Sequence, residues 1–166
     1  MEFLEIIKGK ILPWNLIDKR VAMWRFLDKK IVFTNGCFDI LHLGHIEYLA
    51  KARSMGNLLI IGLNSDASIH KIKGPDRPVN DENSRAMVLA SLSFVDAVIL
   101  FDEETPAELI RRINPDILVK GNDYRADQIA GHDIVEAHGG KVVTIELTPG
   151  YSTTGIISRI NHPEKH

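Results

Sequence analysis

Five short apolar or β-branched runs punctuate the chain: Ile31-Val32-Phe33, Leu58 to Leu63, Ala97 to Phe101, Ile117-Leu118-Val119 and Lys141 to Ile145. Each reads as a strand. Between them apolar residues return at helical spacing, as at Leu43, Ile46, Leu49 and Ala50 after the first run and at Ile156, Ile157 and Ile160 near the end. Strands separated by helices imply right-handed parallel crossovers. The fold class is therefore α/β, a single doubly wound parallel five-stranded sheet with ligands at the carboxyl ends of its strands. Residues 1–29 read as a helical N-terminal leader with Leu16, Val21, Trp24 and Leu27 as packing positions. Its expected role is structural, including a contact in a homodimer. Residues 30–166 form the main domain.

Composition narrows the function classes. At 166 residues, 45% hydrophobic and 25% charged, the chain suits one well-filled core. A formal net charge of −2 argues against a general nucleic-acid binder, which would need a basic excess. The single cysteine, Cys37, excludes an internal disulfide and reads as a small packed residue of a protein in a reducing compartment. No apolar run reaches the ~18 residues of a membrane span, and no signal-peptide pattern opens the chain, so the expected location is cytoplasmic.

The chemistry concentrates where the first strand meets its helix, at Thr34-Asn35-Gly36-Cys37-Phe38-Asp39-Ile40-Leu41-His42-Leu43-Gly44-His45. Free backbone amides at such a junction attract anions. Three-residue spacing puts the His42 and His45 imidazoles on one side of a first helical turn, and Gly44 has no Cβ to keep a phosphate away. The pair can donate to a phosphate and stabilise charge built up during displacement. Two histidines without a third clustered ligand make a weak zinc site, so no protein-held metal is expected.

Three further segments carry candidate chemistry. Lys71 to Asn80 reads as a loop shaped by Gly74, Pro75 and Pro78 that presents a cation, Lys73 being the stronger candidate. Within it Arg77 either binds a sugar phosphate or braces the loop, and Arg85, at the start of a helix-like stretch, holds the loop, binds phosphate or forms a surface salt bridge. Gly150-Tyr151-Ser152-Thr153-Thr154 combines a permissive turn with an N-cap and hydroxyls that suit a second phosphate site. Asp39 reads first as a helix cap, with orienting a histidine or approaching substrate as alternatives. Asp123 either contacts the sugar or nucleotide or serves as a turn residue.

G-x-F-D-x-x-H-x-G-H, standing here as Gly36 to His45, resembles the signature of the nucleotidyltransferase superfamily that includes cytidylyltransferases and pantetheine-phosphate adenylyltransferase. The resemblance runs from about Lys30 to Ile160 and is closest to the heptose 1-phosphate adenylyltransferase domain. Asn64-Ser65-Asp66, Lys73 to Asn80, Val119 to Tyr124 and Gly150 to Thr154 look like its matching segments. It implies a Rossmann-like nucleotidyltransferase fold and transfer of AMP from ATP to a D-glycero-D-manno-heptose 1-phosphate for lipopolysaccharide or another surface glycan. By resemblance His42, His45 and Lys73 act on the reacting phosphates. Thr34, Asn35, Gly36, Phe38, Gly44, Lys120, Gly121, Asp123, Ser152, Thr153 and Thr154 bind nucleotide, with Ser152 to Thr154 at the β- and γ-phosphates. Asp39, Asn64, Arg77 and Arg85 serve the acceptor.

Glycerol-phosphate cytidylyltransferases carry an arginine where this chain has Leu147. An apolar group there suits adenine, so ATP is the expected nucleotide. No recognised spacing assembles a nucleophile and base. Direct in-line attack by a phosphate oxygen on the α-phosphorus follows, with Mg2+ carried in by the triphosphate. The family often fuses this domain to a sugar kinase, so a separate heptose kinase is expected upstream. Rival readings are transfer to glycerol 3-phosphate, FMN or phosphopantetheine, and a non-catalytic nucleotide-binding module.

Overall fold

The computed structural model describes residues 2–122 and 128–162. Its five strands, β1 (Ile31–Gly36), β2 (Leu58–Asn64), β3 (Ala97–Phe101), β4 (Ile117–Gly121) and β5 (Lys141–Ile145), form one sheet in the order β3-β2-β1-β4-β5. Every pairing is parallel. Helices α1 (Phe3–Lys8), α2 (Ile17–Phe26), α3 (Leu43–Arg53), α4 (Asp66–Lys73), α5 (Glu82–Ser91), α6 (Ala107–Ile113), α7 (His132–Ala137) and α8 (Thr153–Asn161) accompany it. The predicted α/β sheet is therefore the observed one.

Period-two alternation divides the strand residues between two cores. Ile31, Phe33, Ile60, Ile99 and Leu118 face a layer supplied by α2, α6 and α7. Val32, Leu59, Ile61, Val98 and Val119 face α3 and α5, which contribute Tyr48, Leu49, Ala86 and Leu89. Because β1 lies at the centre of the sheet and its order reverses beside β4, the β1–α3 turn opens onto the crevice where such sheets bind ligands.

The leader is more than helical. Between α1 and α2 the chain runs beside β3, with Leu12 N–H donating to Val98 O at 2.9 Å and Val98 N–H to Lys10 O at 2.9 Å. Trp24 is buried and Val21 packs on the same layer, but Leu16 and Leu27 are 42% and 53% exposed. They flank α2 as its N-cap and C-cap, off the helical phase that buries Ile17 and Trp24. Lys71 and Lys73 also depart from expectation. They occupy the last turn of α4, a helix begun by the Ser65 cap and ended at Gly74 with φ +92°, so the loop starts only there.

Candidate active site

β1 ends in a tightly bound junction. Thr34 is fully buried, and its hydroxyl pairs with the Tyr48 hydroxyl at 2.7 Å, which donates to Val119 O at 3.0 Å. Thr34 thus ties β1 to α3 and β4 and lies off the cavity, contrary to its expected nucleotide contact. Lys120 Nζ donates to Asn35 O at 3.0 Å across the strand pair. The chain then turns at Phe38, whose φ of +43° is left-handed and costs about 1–3 kcal/mol for a bulky residue. Its ring fills the space over Gly36, where a Cβ would lie 3.0 Å from the ring edge, and meets the His45 ring edge-on at 5.3 Å.

His42 is the N-cap residue of α3 and His45 lies in the first turn. Their rings stack at 3.8 Å with 19° between planes. This contact requires at least one of them to be neutral, and burial supplies that condition. His45 is pushed down to about 4 by burial first, then by the charges of His42 and Lys73; burial also lowers His42. The Ile40 carbonyl opposes the shift weakly, and neither Nδ1 forms a hydrogen bond of good geometry. Gly44 keeps this corner close-packed, because a Cβ would sit 3.2 Å from His42 Nδ1 and 3.3 Å from Tyr151 Cβ and would press both side chains back.

That Tyr151 contact brings in a second helix. Gly150, at φ +84°, reverses the chain before α8, and Ser152 caps the helix by accepting from Gly155 N–H at 3.0 Å. Tyr151 lays its ring against His42 at 6.5 Å with 25° between planes. Thr153 Oγ1 donates to Ile40 O at 3.4 Å, and Thr148 donates to Glu47 of α3. The α3 and α8 N-termini therefore open onto one cavity of about 640 Å³. Exposed amides, hydroxyls and imidazoles on that wall suit a chain of phosphates.

The expected site residues divide. Asn35, Gly36, Phe38, Asp39, His42, Gly44, His45, Asn64, Lys73, Lys120, Gly121, Ser152, Thr153 and Thr154 all line the cavity. Arg77 and Arg85 do not. Arg85 is fully buried and donates to Asn80 O at 3.0 Å, Cys37 O at 2.7 Å, Asn64 O at 2.9 Å and Asp66 Oδ1 at 2.8 Å. It braces the loops and is no surface ion pair. Arg77 Nε bonds Asp39 at 2.7 Å, and the same carboxylate accepts from the amides of Val79 at 2.8 Å and Asn80 at 3.0 Å. Asp39 therefore anchors the loop after α4 instead of capping α3. Burial alone would raise its pKa, but these amides and Arg77 outweigh burial and hold it below the usual carboxylate range. Asp123 lies outside the described residues.

Sequence reasoning gave no individual role to Tyr151 or Thr148 and passed over Tyr48, and also Glu104 and Thr105 after the carboxyl end of β3, all on the cavity wall. The position of Glu104 and Thr105 just after a strand end was the available signal.

Comparisons with known proteins agree with this architecture. A family model described as cytidylyltransferase-like matches residues 33–159. The chain is 51% identical over 152 residues to the bifunctional protein HldE of Magnetococcus marinus, covering 92% of this chain and 31% of that protein. To the HldE of Syntrophotalea carbinolica it is 58% identical over 132 residues, covering 80% of this chain and 27% of that one. The chain thus spans about a third of the length of the curated relatives it matches. The crystal structure of a lipopolysaccharide core biosynthesis protein from Thermoplasma volcanium superposes with a TM-score of 0.59 at 32% identity, covering 72% of this chain and 97% of that one.

Proposed function

We propose that this chain, which belongs to the cytidylyltransferase-like family, transfers AMP from ATP to a heptose 1-phosphate, giving ADP-heptose and pyrophosphate. The observation that carries the reading is the stacked His42–His45 pair held between two helix N-termini on one cavity. The similarity to bifunctional HldE proteins and to a lipopolysaccharide core biosynthesis protein supports the acceptor and its use in a surface glycan. Leu147 on the cavity wall supports adenine as the base.

In the proposed reaction a phosphate oxygen of the acceptor attacks the α-phosphorus, the new O–P bond forming as the α–β bridging bond breaks. Its electron pair leaves with pyrophosphate. The attacking oxygen is already anionic, so no general base is needed, and the chain's task is alignment and charge stabilisation. Neutral His45 and His42 donate ring N–H groups to the α-phosphate, and Lys73 meets the incoming or departing phosphate. Ser152, Thr153 and the α8 amides hold the β- and γ-phosphates.

Among the described residues no three His, Cys, Asp or Glu side chains converge as a metal cage, and the Asp39 carboxylate is occupied by Arg77 and backbone amides. This donor set fits Mg2+ carried in on the triphosphate oxygens, where it would neutralise charge. Among the described residues no helix is long and apolar enough to cross a membrane. We propose the cytoplasm, where ATP is made, as the site of action, with a kinase activity supplying the sugar 1-phosphate.

Incubation with ATP, Mg2+ and heptose 1-phosphate is expected to release pyrophosphate and form ADP-heptose. Transfer only to glycerol 3-phosphate, FMN or phosphopantetheine would reassign the acceptor. ATP binding without transfer to any acceptor would leave a nucleotide-binding module.

A further inference from the structure

The cavity extends past the phosphate wall. From the histidines at the end of β1 it continues over β2 and β3, where Asn64, Ile72, Lys73, Glu104, Thr105 and Pro106 line it. The nucleotide segments of the proposed reading lie on the other side, after β4 and β5. In the reaction proposed above, an acceptor attacking the α-phosphorus with its phosphate near the histidines and Lys73 would have the β3–α6 turn on the cavity wall beside its remaining atoms.

We propose that Glu104 and Thr105 recognise hydroxyl groups of the acceptor and select a sugar phosphate whose far end is uncharged. This deepens the reading above and rests on it. Both side chains are exposed on the cavity wall, and among the described residues the Glu104 carboxylate and the Thr105 hydroxyl have no hydrogen-bond or ion-pair partner, although their neighbours are engaged. Asp102 N–H donates to Glu103 Oε2 at 3.1 Å, and Ser68 donates to Glu103 O at 3.4 Å. A free carboxylate accepts from one or two sugar hydroxyls and repels a second anion, and a threonine hydroxyl can both donate and accept. Pro106, buried and at the N-cap of α6, fixes the turn that carries both residues. Ile72 gives the sugar carbons an apolar surface beside this polar pair.

The test compares the intact protein with Glu104→Gln and Thr105→Val under saturating ATP and Mg2+. Glu104→Gln is expected to raise the KM for heptose 1-phosphate about tenfold or more, the scale of losing hydrogen bonds to a charged group, with the KM for ATP and the melting temperature unchanged. Thr105→Val should raise the acceptor KM by a smaller factor. A uronic acid 1-phosphate, anionic at its far end, should be a poorer acceptor than the neutral sugar 1-phosphate for the intact protein, and Glu104→Gln should narrow that gap. Normal transfer with an unchanged acceptor KM in both variants would overturn the assignment while leaving the reaction standing. Equal shifts in the ATP and acceptor KM would also overturn it, as a general effect on the cavity. No transfer from the intact protein to any sugar 1-phosphate would overturn the reaction and this assignment together.

Discussion

Two basic pairs lie within one loop cluster and have opposite fates. Arg77 and Arg85 carry permanent charge, and both are turned inward onto protein acceptors, Asp39 for one and Asp66 with three carbonyls for the other. His42 and His45, with weaker and titratable charge, line the cavity, and among the described residues their buried Nδ1 atoms, like Arg77 Nη2, have no hydrogen-bond partner. The two arginines hold the loops in place, and the adjustable imidazoles, with Lys73 beside them, are left for the ligand. A phosphate wall crowded with permanent cations would hold product as firmly as substrate, whereas neutral imidazoles gain strength only as negative charge builds.

The largest test of this contrast is Arg85→Met. Removing a buried guanidinium leaves the Asp66 carboxylate and three carbonyls short of a donor, and thermal or urea unfolding should show a loss of about 3–5 kcal/mol. Its activity should fall only as far as the folded fraction does. If Arg85→Met folds normally and loses turnover, the division between the pairs is wrong. His45→Ala should do the reverse, cutting kcat by about 10²–10³, comparable to the loss of one transition-state donor, with melting little affected.

Acidification separates the pairs further. His45 has a folded pKa of about 4 against an ordinary value of 6.5. Its neutral burial contributes full stability above pH 6.5, and that contribution is lost between 6.5 and 4 as the unfolded chain takes up a proton the folded chain refuses. The total is at most about 3.5 kcal/mol at ~1.4 kcal/mol per unit, less what solvent screening removes. Thermal melts from pH 7.5 to 4.5 should show this slope, and His45→Gln should flatten it. The smallest effect belongs to Tyr151→Ala, which frees His42 from one ring neighbour and should lower kcat about twofold to tenfold, with Tyr151→Phe restoring it.

Much of the fold was legible because its signals are local. Ala97 to Phe101 and Lys141 to Ile145 form strands with the predicted bounds, and the serine before α8 caps it as expected. The placement of both imidazoles on one side of the helix start was legible for the same reason, from their three-residue spacing, whereas their stacking was not. For Asp39 and Thr34 the bracing roles were not legible, and for Arg85 the loop-holding role could not be singled out, because most of their partners lie 14 or more residues away and are backbone groups or a tyrosine hydroxyl, which carry no sequence pattern. The leader's phase failed at Leu16 and Leu27 because α2 starts and stops between them.

The bridge from Ile11 to Val98 has a consequence for how the protein behaves among its own copies. Backbone bonds on both sides of Val98, together with the Trp14 indole donating to Leu100 O at 2.7 Å, close the β3 border of the sheet. Growth by strand addition is blocked on that side, leaving β5, short and carrying Lys141 at its start, as the border open to it. Trimming residues 2–12 would uncover a fully apolar strand, and the expected result is aggregation on storage out of proportion to any drop in melting temperature.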